Sequence, residues 1–265
     1  MSSFDMNAIV GTHDILWITL DTLRFDVARK ALAEGRTPNL AALVRDGWER
    51  RHTPGNFTLA SHAAFFAGFL PTPATPGPHP RLFAAAFEGS ETTSPHTWVY
   101  EAADVPGGLA RAGYHTVCIG GVGFFNKRTP LGCVLPGLFR ESFWEPSFGV
   151  TGRDSTRNQV DCALNVIQRV RPSLRLLLFL NVSALHQPNC IFVDGQTTDS
   201  PHTMEAALCY VDSQLQPLVR AMKARAPLFF MIMSDHGTAY GEDGYRGHRL
   251  GHPVVWEVPY AHGIA

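Results

Sequence analysis

The sequence predicts an α/β fold: a mainly parallel sheet flanked by helices on both faces. Continuous apolar runs are the first sign. Asp14 to Leu20, His115 to Gly120, Arg175 to Val182 and Pro227 to Met233 are short and rich in large or β-branched residues. Such runs suit strands buried on both faces. Amphipathic helical stretches between the runs are the second sign, and alternating strands and helices build a parallel sheet. The third is that the strands stop in polar residues. They end in Leu20-Asp21-Thr22, in Asn181-Val182-Ser183 and in Met233-Ser234-Asp235-His236-Gly237. The 265 residues are read as one domain spanning 1–265.

The helices follow in order. Thr37-Pro38-Asn39 opens one, with Leu40, Leu43 and Val44 on a single face. Val105 to Gly113 carries Leu109 before a glycine stop. Asp154 to Val170 aligns Val160, Leu164, Ile167 and Val170. Thr203 to Ala224 carries a 3.6-residue stripe from Met204 to Met222, and Pro217 is expected to kink it. Pro71 to Pro80 holds five prolines and is expected to be an extended connector. Irregular stretches are expected from about Gly89 to Pro95 and from Gly121 to Val150.

Lys plus Arg number 22 and Asp plus Glu 23, a net charge of −1. That balance argues against a nucleic-acid scaffold or an anionic membrane as partner. Hydrophobic residues make up 45%, enough for a sizeable core, which excludes global disorder. The first dozen residues show no secretory pattern, and the apolar run around Leu176 to Leu180 is too short to span a bilayer. The five cysteines are scattered with no C-x-x-C, which reads as reduced thiols. These features set the expectation of a cytoplasmic monomer or homodimer without a membrane partner.

In open α/β sheets ligands bind beyond the carboxyl ends of strands. A parallel sheet would bring Asp21, His186, Asp235 and His236 to one edge. Such a set suits one divalent cation (Zn, Mn, Mg or Ca), with a second as the alternative. Without a cation the cluster would be electrostatically costly. Thr58 lies in Gly55-Asn56-Phe57-Thr58-Leu59-Ala60-Ser61-His62, just before the apolar run from Ala63 to Ala67. It is expected to be the N-cap of a short helix. A hydroxyl there feels the positive end of the helix dipole, and a bound cation would make it a nucleophile. Read alone, a Thr before an apolar helix is ordinarily a cap and nothing more. Gly241 to His248 adds acidic groups and a histidine, and His252 follows.

Taken in order, these segments resemble the alkaline phosphatase/sulfatase superfamily, and within it the compact sulfatase-like hydrolases. ILWITLDTLRFD, with Asp21, Arg24 and Asp26, is similar to the family's strand entering D-T-L-R-x-D. TPNLAAL, Thr37 to Leu43, is similar to T-P-N-L-D-x-L. TLASHAAFFAGFLP, Thr58 to Pro71, resembles T-L-P-S-H-x-S-x-F-T-G-x-x-P, whose first residue is the nucleophile. LARAGYHTVCIG resembles L-x-x-A-G-Y-x-T, and LLLFLNVSALHQP resembles F-L-F-L-N-x-x-x-x-H-x-P. AALCYVDSQL resembles the family's Y-V-D helix. SDHGTAYGEDGYRGH, Ser234 to His248, is similar to S-D-H-G-E-x-x-G-E-x-G-x-x-x-H of phosphoethanolamine and lipoteichoic-acid transferases. VVWEVPYAHGI resembles the strand that closes the family core.

The resemblance implies that Asp21, Thr58, Asp235 and His236 hold one divalent metal ion. It implies that Thr58, His186, His248 and Arg24 are catalytic. His186, His248 and His252 would bind a second metal or the substrate, and His62 and Asn56 would touch the substrate. Two-metal members carry an Asp where Val182 and Ser183 stand here. Sulfatases proper place a formylglycine-forming Cys in C-x-P-S-R, where this chain has Thr58 and His62. The implied activity is hydrolysis or transfer of phosphate or phosphonate esters through a phospho-threonine, on a small-molecule substrate. The alternatives are a sulfuric-ester hydrolase and a non-catalytic metal- or ligand-binding module of the same fold. A haloacid-dehalogenase phosphatase needs D-x-D, and Leu23 occupies the third position here. Most of the family's C-terminal subdomain is expected to be missing.

Overall fold

The computed structural model describes residues 4–68 and 104–265, and between them the backbone of two short paired strands. In chain order the elements begin with α1 (Met6–Ile9), β1 (Asp14–Leu20), α2 (Phe25–Ala33), α3 (Pro38–Leu43), β2 (Glu49–His52) and α4 (Thr58–Ala67). The two short strands are β3 (Phe83–Ala84) and β4 (Trp98–Val99), followed by α5 (Val105–Arg111) and β5 (Tyr114–Ile119). Then come α6 (Pro130–Val134), β6 (Glu141–Phe143), α7 (Ser155–Arg169), β7 (Arg175–Val182), α8 (Pro201–Arg225) and β8 (Leu228–Met233). The chain closes with β9 (Ala239–Tyr240), β10 (Arg246–Gly247), α9 (Pro253–Trp256) and β11 (Glu257–Ile264). The proline run from Pro71 to Pro80 and the stretch from Gly89 to Pro95 lie outside the described residues.

Seven strands form one sheet in the order β2-β11-β8-β1-β7-β5-β6. From β8 to β6 all neighbours are parallel, and β11 runs antiparallel to both β8 and β2. The period of two in side-chain direction divides each central strand between two cores. Leu16, Ile18 and Leu20 of β1 pack with Leu176, Leu178 and Leu180 of β7 on the face covered by α2, α3, α7 and α8. Ile15 and Trp17 pack with Leu177 and Phe179 on the other face, beneath α1 and α4. That second face is aromatic: Phe66 of α4 meets Phe179 at 5.0 Å and Trp17 at 5.4 Å, edge to face. All seven residues of β1 are buried, which is why its run is continuous rather than alternating.

The stretch from Gly121 to Val150 is not one long loop, as the sequence suggested. It contains α6, three single-turn 3₁₀ segments and the edge strand β6. β6 is three half-buried residues paired to β5, too short for its pattern to register. Helix α8 runs on through Pro217 as one element. Pro217 and Ser213 both lie on the exposed side, so the carbonyl that loses its donor faces water. At the start of α8 the Ser200 hydroxyl accepts from Thr203 N–H at 3.2 Å while the Thr203 hydroxyl accepts from Ser200 N–H at 2.8 Å, a capping box.

Helix α3 is capped from a distance. Thr37 makes no side-chain cap bond. Asp212, buried in the middle of α8, accepts from Asn39 N–H at 3.2 Å, from Leu40 N–H at 2.7 Å and from the Asn39 side chain at 3.0 Å. One carboxylate therefore satisfies the first turn of α3 and docks that helix on α8. Asp212→Ala is expected to lower the unfolding free energy by about 2 kcal/mol, because it leaves buried N–H groups unpaired. Chemical denaturation measures it.

Candidate active site

The central strands end level. Thr19 pairs with Met233 and Leu20 with Val182, so the residues that follow meet at one sheet edge. Asp21, Asp235 and His236 are fully buried there, and their ligand atoms all lie within 4.8 Å of one another. His236 Nε2 is 3.5 Å from Asp235 Oδ2 and 3.9 Å from Asp21 Oδ1. Among the described residues neither of those carboxylate oxygens has a hydrogen-bond partner. His236 Nδ1–H donates to the Gly237 carbonyl at 2.8 Å, so Nε2 turns its lone pair toward the carboxylates.

Burial and the neighbouring Asp235 push Asp21 up to about 6. Burial pushes Asp235 up to about 7, against backbone donors that favour its charged form. Burial pushes His236 down. Two orphaned oxygens and one nitrogen lone pair aimed at a common point fit a divalent cation of mixed O/N preference.

The other oxygens are fixed by the protein. Asn181 Nδ2 donates to Asp21 Oδ2 at 2.9 Å. Asn181 Oδ1 accepts from Gly121 N–H at 3.2 Å and Val122 N–H at 3.0 Å, which sets the orientation of the amide. Asp235 Oδ1 accepts from Thr22 N–H at 3.1 Å and from His236 N–H at 3.0 Å. Thr22 sits at φ 65°, a left-handed conformation that a β-branched residue rarely adopts. The backbone carbonyl of Asp235 accepts from the hydroxyls of Ser61 (2.7 Å) and Thr53. Gly237 admits no side chain: a Cβ would lie 1.9 Å from the Val254 carbonyl oxygen.

Thr58 is the first residue of α4, and the N-cap is Phe57 rather than Thr58. Its hydroxyl is therefore not consumed in capping, and Oγ1 stands 3.5 Å from His236 Nε2. A cleft of about 340 Å³ opens in front of it, lined by Thr58, Phe124, His186, His248 and Arg249 among others. The His248 ring lies 4.6 Å from that of His236 and 5.4 Å from that of His186, centroid to centroid. Burial, then the neighbouring His236, His186 and Arg249, hold His248 down at about 3, so it is neutral. His186 Nδ1–H donates to the Gln187 carbonyl at 2.8 Å.

Four residues expected in the site stand elsewhere or contribute differently. His62 is completely buried, with its ring edge-on to Phe65, Phe125 and Phe179 and its Nδ1–H donated to the Thr58 carbonyl at 2.8 Å. Burial holds it neutral, at about 3, and no substrate reaches it. It is a prop beneath Thr58, 3.7 Å from Asp235 Oδ2. His252 is the N-cap of α9: Nδ1 accepts from Val254 N–H and Nε2–H donates to Asp243. Both ring nitrogens are taken. Asn56 contributes its backbone carbonyl, which accepts from Arg249 N–H at 2.8 Å.

Arg24 is 4% exposed and gives its guanidinium to two carboxylates, Asp26 in a fork at 2.9 and 2.6 Å and Glu242. It binds the end of β1 to the segment after β9 instead of facing the cleft. Arg249 and Asn181 were not singled out in the sequence. The one signal for Arg249 is that it directly follows His248; for Asn181 it is its place at the end of an otherwise apolar strand. Burial tends to raise the Glu242 carboxyl, but the Arg24 hydrogen bond and backbone donors outweigh it and hold it at about 2. A depressed acid stabilises the fold above its ordinary value of 4.5 and loses that contribution as pH falls toward about 2. Glu242→Gln is expected to be less stable than the parent at pH 7, with the gap closing across that window in pH-dependent unfolding curves.

No family model matches the chain, and no curated protein matches it. Solved structures do. The soluble domain of lipooligosaccharide phosphoethanolamine transferase A from Neisseria meningitidis matches with a TM-score of 0.65 and 17% identity, over 96% of this chain and 78% of that one. The C-terminal periplasmic domain of phosphoethanolamine transferase EptC from Campylobacter jejuni gives 0.63 and 14%, over 96% and 80%. An alkaline phosphatase superfamily protein from Vibrio parahaemolyticus gives 0.59 and 18%, over 96% and 60%. The periplasmic setting of the Campylobacter domain overturns the cytoplasmic expectation. Scattered cysteines and an unremarkable start carried that expectation, and neither opposes an extracytoplasmic fold of this kind. Among the described residues no helix is long and apolar enough to cross a membrane. The mostly parallel seven-stranded sheet, helices on both faces and site residues at its carboxyl edge give this chain the fold of the alkaline phosphatase/sulfatase superfamily.

Proposed function

We propose that this protein is a metal-dependent hydrolase or transferase of phosphate or phosphonate esters that works through a covalent phospho-threonine at Thr58. One observation carries the reading: the Thr58 hydroxyl, free of any capping role, meets the buried Asp21–Asp235–His236 trio beside an open cleft. The likeness to phosphoethanolamine transferases agrees with phosphorus as the reacting centre. So does the nucleophile, since a phospho-threonine can be hydrolysed at phosphorus, whereas a sulfated threonine lacks the elimination route open to a hydrated aldehyde.

Asp21, Asp235 and His236 would hold the cation, with Thr58 Oγ1 beside it. When bound it supplies a Lewis acid that neutralises phosphoryl charge and eases loss of the hydroxyl proton. The rest is done by the chain. Thr58 Oγ1 attacks phosphorus opposite the leaving oxygen, its proton passing to solvent in the open cleft; the new P–O bond forms as the ester P–O bond breaks. The His236 ring cannot swing away, because its Nδ1–H is held by Gly237. His186 has its Nδ1–H engaged, which leaves Nε2 to exchange protons. It gives a proton to the leaving alkoxide and later takes one from water or an acceptor alcohol as that oxygen bonds to phosphorus, the P–O bond to Thr58 breaks and Thr58 Oγ1 regains a proton from solvent. Neutral His248 offers one N–H to a phosphoryl oxygen. His62, locked among aromatic rings, keeps the first turn of α4 in place.

Thr58→Ala is expected to lower turnover of p-nitrophenyl phosphate or its diester by about 10³-fold or more without altering the melting temperature. Mass spectrometry of the quenched parent should find phosphate on the Thr58 peptide. Undiminished turnover in the variant would reject the nucleophile. Chelation is expected to abolish turnover and also to lower the melting temperature, since a ligand that binds only the native state stabilises it. Differential scanning calorimetry with and without added Zn²⁺ or Mn²⁺ reads that shift.

A further inference from the structure

We propose that Arg249 sets the specificity of this cleft: its guanidinium binds an anionic oxygen of the substrate other than the oxygens facing the Asp21–Asp235–His236 trio. The inference rests on the phosphoryl-transfer reading above and extends it to substrate class.

Three observations carry it. The first is that, among the described residues, the Arg249 guanidinium has no counter-charge. Arg249 lines the cleft beside Thr58, His186 and His248, and among the described residues no carboxylate pairs with it. Arg24 and Arg225, by contrast, are each bonded to buried or half-buried acids.

The second is that Arg249 is already oriented. Its Cζ lies 5.7 Å from the centroid of the Phe57 ring, which in turn lies 6.1 Å from that of Phe124. A guanidinium resting on an aromatic face keeps its N–H edge free, and that edge matches two oxygens of an anion.

The third is backbone strain. Arg249 adopts φ 68°, a left-handed conformation that glycine takes without strain. Its N–H donates to the Asn56 carbonyl at 2.8 Å, which ties it to the loop that leads into Thr58. The fold therefore holds a bulky cation where the backbone favours no side chain, and such strain collects at functional positions.

Charge counting gives the substrate class. Two carboxylates offset a divalent cation. Arg249 then adds a permanent positive charge to the cleft lining. A simple phosphodiester has two non-bridging oxygens, which the trio and the neighbouring histidines can occupy. An additional anionic oxygen comes either from a monoester, as its third phosphoryl oxygen, or from an acidic group on the ester arm. Both present the same chemistry to Arg249.

The test uses the full chain loaded with Zn²⁺ or Mn²⁺, and the variants Arg249→Gly, Arg249→Gln and Arg249→Lys. Arg249→Gly relieves the strained φ, so loss of folding cannot explain its effect. Inorganic phosphate binding by calorimetry is expected to weaken about tenfold or more in the Gly and Gln variants, with recovery in Lys. KM should rise by a similar factor for p-nitrophenyl phosphate, for a p-nitrophenyl diester with a carboxylate on its second arm, or for both, with a smaller effect on kcat. Bis(p-nitrophenyl) phosphate, which has no extra anionic oxygen, should be affected least. A loss confined to the monoester identifies the third phosphoryl oxygen, and a loss confined to the carboxylate diester identifies the arm. Unchanged phosphate affinity together with unchanged KM in Arg249→Gly overturns the proposal. If Asp235→Asn abolishes turnover in that same experiment, only the Arg249 assignment has failed. If Asp235→Asn and Thr58→Ala both turn over normally, the underlying reading has failed with it.

Discussion

Two carboxylates and an imidazole lone pair are held face to face in a space closed to water, and much of this fold serves to keep them there. Like charges at about 4 Å repel by about 4 kcal/mol even at an effective dielectric near 20. Asp21 and Asp235 would move apart if their surroundings allowed it. They are prevented by bonds to their other oxygens, from Asn181, from Thr22 N–H and from His236 N–H, and by the Ser61 and Thr53 hydroxyls on the Asp235 backbone. Each of those donors belongs to a different part of the chain. The level ends of three parallel strands bring them together, and the strained Thr22 backbone aims one of them.

The two faces of the sheet contribute unequally to that rigidity. The face beneath α8 is aliphatic and long-range, with α3 docked through Asp212. The face beneath α4 is built from rings. Phe66, Phe125 and Phe179 enclose His62, whose one donated hydrogen bond goes to the Thr58 carbonyl. A neutral imidazole surrounded by ring edges cannot gain a proton cheaply and cannot rotate freely. Its bond therefore fixes the turn that carries Thr58, whose hydroxyl lies beside the cleft. A leucine would fill similar space and leave that turn without its tether.

The sequence disclosed strands in proportion to their burial. β1, β7 and β8 lie between two helical layers, so their runs are continuous and unmistakable. β2 reads Glu-Arg-Arg-His on the sheet edge, half-buried at best, and nothing in those four residues announces a strand. The site was legible where chemistry and position coincide, as at Asp21 and at Asp235-His236, each directly beyond a strand. Direction was not legible. Arg24, three residues after Asp21, is the same kind of side chain whether it faces substrate or two carboxylates, and one of its partners is Glu242, 218 residues away. His62 is one helical turn from Thr58, and only the packed rings around it show that it points inward. Asn181 stood out only as a polar strand end: a lone amide in an apolar strand acquires a role only when Asp21 and the Gly121 turn arrive from elsewhere.

The displacement of Thr58 by one position, from N-cap to first helical residue, changes what its hydroxyl can do. An N-cap threonine spends its oxygen accepting an N–H from the helix it begins. Phe57 holds the cap position instead, extended at φ −163°, and makes no side-chain bond to the helix. The start of α4 therefore forgoes a stabilisation of about 1 kcal/mol. In return the positive end of a ten-residue helix is left facing the cleft, with a hydroxyl that owes no bond to the backbone. That hydroxyl also lies within 3.5 Å of His236. A scaffold selected for stability alone would place Ser, Asp or Asn at position 57. An uncapped helix start beside two buried carboxylates is two separate sacrifices of stability at one point, and the proposed function accounts for both, because a cation and a phosphoryl group in the cleft would make them favourable.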